Sequence, residues 1–165
     1  MTTVPFYERP AWTKIQIGTY GSIEELGLAL VNKRGSQYLS SDYNVLRLIC
    51  LTSKPQEIEL YTATVAELGF NNTTKLQQIQ AKLKEWWFGN CPDEVGPQLY
   101  LQYANELREK DSFHIIMDPI YPYASCWMIT FGVNRRNLYF DRAHNGYANA
   151  DIRLNSNDRI VFCRK

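Results

Sequence analysis

The sequence predicts an α+β domain, because helical periodicity dominates its first half and strand alternation dominates its second half. Such segregation is typical of an antiparallel sheet covered by helices on one face. We therefore expect a sheet formed largely by the C-terminal half, with two or three N-terminal and central helices packed on one face. The 165 residues are 45% hydrophobic and 21% charged, which favours one α+β domain over residues 1–165.

The first part of the chain contains regular patterns separated by glycine and proline. Residues 12–18 alternate apolar and polar side chains, which predicts a strand. A Ser-x-x-Glu capping box then begins a helix predicted over residues 22–34. Residues 41–55 predict a second, short helix, although their apolar and β-branched residues also fit a strand. Residues 57–65 alternate cleanly and predict another strand.

The centre of the chain carries the clearest helical pattern, and the second half is rich in strand patterns. Residues 74–89 begin with a second capping box and have apolar residues at three- and four-residue spacing, which predicts a helix. Residues 98–103 change to period two, so we expect a strand that forms a hairpin with residues 112–118. Three further strands are predicted at residues 126–133, 137–141 and 159–163.

The charge distribution, the N-terminal residues and the cysteine spacing limit which classes of protein this chain can belong to. The formal charge is +1, but residues 134–165 contain seven basic and three acidic residues. This basic segment could bind an anionic partner, although a solvated sheet face is the commoner interpretation. Neither a secretory leader nor a membrane span is visible, which predicts a cytoplasmic protein. The four cysteines are widely spaced, which predicts reduced thiols and no zinc site; we expect no metal and no cofactor.

One block of sequence resembles a known pattern. Residues 65–70 read VAELGF, and residues 91–103 read CPDEVGPQLYLQY after the intervening helix. Together these segments resemble the signature of a family of small bacterial proteins to which no activity is attached. The resemblance spans most of the chain and implies one intact domain of bacterial type. It implies no chemistry.

Three residues are candidates for catalysis. Cys91 directly precedes Pro92, and a cysteine at a helix N-terminus has a lowered pKa. The acidic residues that follow Pro92 would raise the pKa of the thiol instead. A capping cysteine without catalytic function is the commoner interpretation. His114 shares a predicted strand face with Asp118, which suggests an acid–base pair or simply a structural hydrogen bond. His144 lies in a polar turn, where a solvated histidine is the commoner interpretation and acid–base work on a phosphodiester the alternative.

Aromatic and basic residues are concentrated in the C-terminal half, and they form the candidate binding surface. Tyrosine, tryptophan and arginine are the preferred anchors of protein interfaces, and the same residues stack on and neutralise single-stranded nucleic acid. The candidate binding residues are Arg135, Arg136, Tyr139, Arg142, Tyr147 and Arg153.

The function predicted from the sequence is binding rather than catalysis. A protein partner captured through the aromatic, arginine-rich sheet surface is the first hypothesis. Single-stranded nucleic-acid binding is the second, and a small hydrolase or nuclease that uses Cys91 or His144 is the third.

Overall fold

The computed structural model describes residues 4–34, 44–122, 127–144 and 151–165. The helices are Ile23–Arg34 (α1), Leu76–Glu85 (α2) and Val95–Tyr103 (α3), and three short 3-10 turns span Phe6–Glu8, Ala66–Leu68 and Ala104–Glu106. The strands are Thr13–Ile17 (β1), Gln56–Thr64 (β2), Thr74–Lys75 (β3), Phe88–Gly89 (β4), Ser112–Ile115 (β5), Trp127–Asn134 (β6), Leu138–His144 (β7), Arg153–Leu154 (β8) and Arg159–Arg164 (β9). Within the described residues, every helix is too short or too polar to cross a bilayer.

A seven-stranded sheet forms the centre of the fold, in the order β1-β2-β9-β5-β6-β7, with β4 also paired to β9. Every pairing in it is antiparallel except that of β5 with β9. Helices together with a mostly antiparallel, mixed sheet confirm the α+β class. Strands β3 and β8 form a separate two-stranded sheet.

The central strand β9 separates two hydrophobic cores. Val161 and Cys163 belong to a first core that also contains the buried sides of α1 and α3. Ile160 and Phe162 belong to a second core that contains the buried side of α2. Because neighbouring side chains of a strand point to opposite faces, the helices cover both faces of the sheet. The prediction of helices on one face is wrong, and the unbroken apolar run of β9 is the sequence signal of a strand buried on both sides.

The predicted helix and strand boundaries are mostly close to the observed ones. The Ser22 Oγ accepts the Glu25 N–H at 3.2 Å, which confirms the cap that begins α1. In α2 the cap lies one residue later than predicted, since the Gln78 side chain accepts the Lys75 N–H at 3.2 Å. Of the second predicted helix, residues 44–46 are helical, and residues 41–43 lie outside the described part of the chain.

Helix α3 replaces the strand predicted at residues 98–103. Val95 and Leu99 are completely buried against the first core, one helical turn apart. A Cβ on Gly96 would lie 2.6 Å from the Cβ of Phe131, so only glycine lets α3 approach β6 this closely. Pro97 lies in the first turn of the helix, where its missing N–H removes no hydrogen bond. The predicted hairpin is therefore wrong.

A buried carboxylate joins α3 to the two loops beside it. Glu94 is completely buried, and its Oε1 accepts the Gly18 N–H at 2.9 Å and the Gln98 amide at 2.8 Å. Its Oε2 accepts the Thr52 N–H at 3.0 Å. Gly18 follows β1 and Thr52 precedes β2, so one side chain fixes both chain segments to the start of α3. Neutral donors satisfy this carboxylate in place of a buried cation.

Two glutamines continue the same face of α3 along β1. Gln98 donates to the Thr19 hydroxyl at 2.8 Å, and Gln102 donates to the Gln98 side-chain oxygen at 2.8 Å. Gln102 also accepts the backbone N–H of Gln16 at 2.9 Å and donates to its carbonyl at 2.7 Å. Glu94, Gln98 and Gln102 are four residues apart, which places them in one row on the helix. We call this row the polar ladder.

We expect Glu94→Ala to lower the free energy of unfolding by about 3 kcal/mol, because it leaves buried N–H donors without an acceptor. Glu94→Gln keeps one carbonyl acceptor and should lose less. Urea titration measures both values, with Glu106→Ala as the control, since Glu106 is exposed. An effect of Glu94→Ala no larger than that of the control would contradict the structural role of the polar ladder.

Candidate functional site

His114 lies between carboxylates from two other parts of the chain. Its Nδ1 is 2.6 Å from Oδ2 of Asp141 on β7, and its Nε2 is 3.9 Å from Oδ2 of Asp158, which precedes β9. The side chains of His114 and Asp141 are 18% and 19% exposed, and that of Asp158 is 27% exposed. The group joins β5, β7 and the start of β9, and we call it the histidine cluster.

The predicted pairing of His114 with Asp118 is wrong. Strand β5 ends at Ile115, so the two-residue alternation does not extend to Asp118. Asp118 instead accepts a hydrogen bond from the Asn90 side chain at 2.7 Å. The observed partners are 27 and 44 residues away from His114 in sequence and come together only through sheet pairing.

The surroundings of His114 favour its protonated form. Burial lowers the pKa of His114, but the hydrogen bond and the charge of Asp141, together with the charge of Asp158, raise it by more. The pKa of His114 is therefore above its usual value. The charged imidazole donates to one carboxylate and faces the other, so the cluster can hold a proton close to neutral pH.

A tyrosine and a glycine complete the histidine cluster. His114, Gly132 and Tyr139 occupy one row across β5, β6 and β7. A Cβ on Gly132 would lie 2.2 Å from the ring of Tyr139, so this ring covers the space that glycine leaves. The Tyr139 hydroxyl contacts the Ser112 hydroxyl at 2.8 Å and donates to the Phe113 carbonyl at 3.2 Å. Burial and the two carboxylates raise the pKa of Tyr139 to about 12, although the contact with Ser112 lowers it.

The predicted binding residues do not share one surface. Arg135 and Arg136 are exposed in the turn between β6 and β7, where Arg136 pairs with Glu109 at 2.9 Å. Tyr139 and Arg142 are three residues apart on β7 and therefore project from opposite faces of the sheet.

The guanidinium of Arg142 lies 5.6 Å from the ring centroid of Phe140. Arg153 is exposed on β8, in the small sheet, and Tyr147 lies outside the described residues.

Cys91 is buried in the first core rather than placed at a helix N-terminus. Helix α3 begins at Val95, and Cys91 is only 3% exposed. Its sulfur lies 3.1 Å from that of Cys163. Burial and the contact with Cys163 raise the pKa of Cys91 well above its usual value. This position does not favour an activated thiolate at Cys91, and the commoner interpretation, a capping cysteine, does not fit a helix that begins at Val95.

His144 ends strand β7, and its side chain lies outside the part of the chain that the structure describes. The polar turn predicted after it, at residues 145–146, is outside the described residues as well. Among residues 4–34, 44–122, 127–144 and 151–165, no group of three or more histidine, cysteine or acidic side chains is arranged to hold a metal ion.

Among the described residues, the most exposed large apolar side chain is one that was not predicted as a site residue from the sequence. Trp87 is 80% exposed and has a backbone φ of 63°. The preceding Trp86 stacks on Tyr7, with ring centroids 3.9 Å apart and planes 2° apart. We call Tyr7, Trp86 and Trp87 the aromatic patch. Its sequence signal is the run Trp86-Trp87-Phe88, which cannot place all three rings on one buried face.

Comparisons with known proteins do not assign this chain to a family. No known protein family, no curated protein and no solved structure matches this chain. The resemblance to the bacterial signature therefore stays a prediction, and the function has to be inferred from the arrangement of the side chains.

We expect the stability of the protein to depend on pH through His114. The pKa of His114 is raised in the folded state, so its stabilisation is complete below the unfolded pKa of about 6.5 and is lost as the pH rises through the folded pKa. Urea titrations from pH 5 to pH 9 should show this loss in the wild type and a weaker loss in His114→Gln. His144→Gln is the control, because His144 is the other histidine of the sequence. Identical pH profiles for the wild type and His114→Gln would contradict the assignment.

Proposed function

We propose that this protein acts by binding another protein, and that the aromatic patch is the contact surface. The observation that supports this proposal is Trp87, which is 80% exposed and held in the left-handed region with φ of 63°. Partly exposed tryptophan is the residue type most enriched among interface anchors.

Trp87 is unfavourable for the isolated fold. It follows the end of α2, at a position where glycine commonly adopts a left-handed conformation. A side chain other than glycine costs about 1–2 kcal/mol there, and an indole that is 80% exposed recovers little of this through burial within the chain. A residue that strains the fold without stabilising it is a candidate for function.

The backbone around Trp87 is fixed. The Trp87 N–H donates to the Lys84 carbonyl at 3.2 Å, and the Trp87 carbonyl accepts the Lys165 N–H at 3.2 Å. Trp86 is held by stacking on Tyr7 and by an edge contact with Phe6. Because the backbone at Trp87 and the ring of Trp86 are already held in place, binding costs less conformational entropy there.

Basic residues lie beside the aromatic patch. The guanidinium of Arg164 lies 5.2 Å from the ring centroid of Tyr61 and 5.6 Å from that of Phe88. Lys84 and Lys165 are exposed and bonded to the Trp87 backbone. Exposed Glu85 directly precedes Trp86, so the surroundings of the aromatic patch carry charges of both signs.

The turn between β6 and β7 offers a second surface. Arg135 is exposed there, and Arg136 has a side chain that is 75% exposed. We infer that these arginines contribute less than the aromatic patch, because Tyr139 and Arg142 point to opposite faces and leave the turn without an adjoining aromatic surface.

We expect Trp87→Asn to abolish capture of the partner while leaving the fold intact. Asparagine tolerates positive φ, so the melting temperature should stay the same or rise. The measurement is a pull-down from native lysate with immobilised wild type and variant, read by quantitative mass spectrometry, together with thermal denaturation of both proteins.

Leu28→Ser is the matched control, because Leu28 is 61% exposed on α1 and lies across the sheet from the aromatic patch. Arg135→Ala combined with Arg136→Ala tests the second surface. Equal capture by the wild type and Trp87→Asn would refute the role of the aromatic patch. If capture of the partner disappears after nuclease treatment and falls steeply with salt concentration, the protein binds nucleic acid rather than protein.

A further inference from the structure

Two buried thiols meet at the centre of the fold. Cys91 follows β4, and Cys163 lies on β9, 72 residues further along the chain. They are 3% and 6% exposed. The Cys163 Sγ lies 3.1 Å from the Cys91 Sγ. This distance is shorter than the separation of packed carbon atoms, which is about 3.5–4.0 Å.

Backbone hydrogen bonds fix both cysteines in this arrangement. Gly89 of β4 pairs with Cys163 of β9. The Cys91 N–H donates to the Ile116 carbonyl at 2.7 Å, and Ile116 is in turn bonded to Val161 of β9. The two sulfurs are therefore held together by the sheet. Closing the gap to the S–S distance of about 2.0 Å requires a shift of roughly 1 Å.

Of the two cysteines, Cys163 is the one that lines a surface cavity. This cavity has a volume of about 500 Å³, and Cys163 lines it together with Gly89, Asn90, Pro92 and Arg164. A small polar oxidant in this cavity lies beside Cys163, whereas Cys91 is not among the lining residues. Burial and the contact with Cys163 raise the pKa of Cys91 above that of an ordinary thiol.

We propose that Cys91 and Cys163 are a redox-active pair that forms a reversible disulfide when a small peroxide enters this cavity. In the first step, the thiolate of Cys163 attacks one peroxide oxygen: an S–O bond forms, the O–O bond breaks, and the leaving oxygen takes a proton. In the second step, Cys91 attacks the sulfur of Cys163: an S–S bond forms, the S–O bond breaks, and hydroxide leaves with the Cys91 proton as water. The two thiols together lose two electrons, and the peroxide gains them.

The disulfide would restrain the most connected strand of the sheet. β9 pairs with β2, β4 and β5, so a covalent link from Cys163 to Cys91 closes a loop of 72 residues through the centre of the fold. Loops of this length give large stabilisation because the link restricts the unfolded chain. The oxidised protein should therefore melt at a higher temperature than the reduced protein.

The test uses the full chain, reduced and then exposed to hydrogen peroxide. Free thiols are blocked with N-ethylmaleimide, and peptides are mapped by mass spectrometry without reduction. We expect a peptide that links Cys91 to Cys163, a mass loss of about 2 Da for the two hydrogens removed, and complete reversal by dithiothreitol. The melting temperature should rise on oxidation and return on reduction.

Cys50→Ser is the matched control, because Cys50 is exposed and the variant should form the same link at the same rate. Cys163→Ser should leave Cys91 as a free thiol under the same treatment. If Cys163→Ser does not fold, peptide mapping of the oxidised wild type still shows whether Cys91 and Cys163 are linked. The proposal is overturned if Cys163 accumulates as sulfinic acid, if the link involves Cys50 or Cys126, or if Cys91 and Cys163 both remain reduced.

Discussion

The burial of the Glu94 carboxylate is the constraint on which the rest of the structure depends. A carboxylate with no exposed surface has to be fully hydrogen bonded, and here the donors are backbone N–H groups of Gly18 and Thr52 and the amide of Gln98. These donors come from the loop after β1, the loop before β2 and α3 itself. The requirement to satisfy one acid therefore sets where α3 lies on the first face of the sheet.

The polar ladder lies within residues 91–103, a block whose other residues also fix the position of α3. Glu94, Gln98 and Gln102 hold α3 along β1, Gly96 allows α3 to approach β6, and Cys91 meets Cys163 in the first core. In the structure Glu94, Gly96, Gln98 and Gln102 therefore position α3 against the sheet.

Local patterns predicted the elements that depend on local interactions. β1, α1, β2 and α2 follow from alternation, capping and periodicity. α3 could not be predicted in this way, because Leu99, Leu101 and Tyr103 alternate as a strand does, whereas the polar ladder is recognised only when β1 is beside it. The partners of His114 are separated from it by 27 and 44 residues, and no local pattern joins them. Trp87 was missed because its spacing fits the helical stripe, although α2 ends before it.

The pairing of Gln102 with Gln16 has a consequence for association between copies of the chain. β1 is the outermost strand on its side of the sheet, and such strands offer unpaired backbone groups to other chains. The amide of Gln102 occupies the N–H and the carbonyl of Gln16, as a neighbouring strand would. Helix α3 thus covers this point of the sheet edge. Loosening of α3 would free these two backbone groups to pair with a strand of another chain.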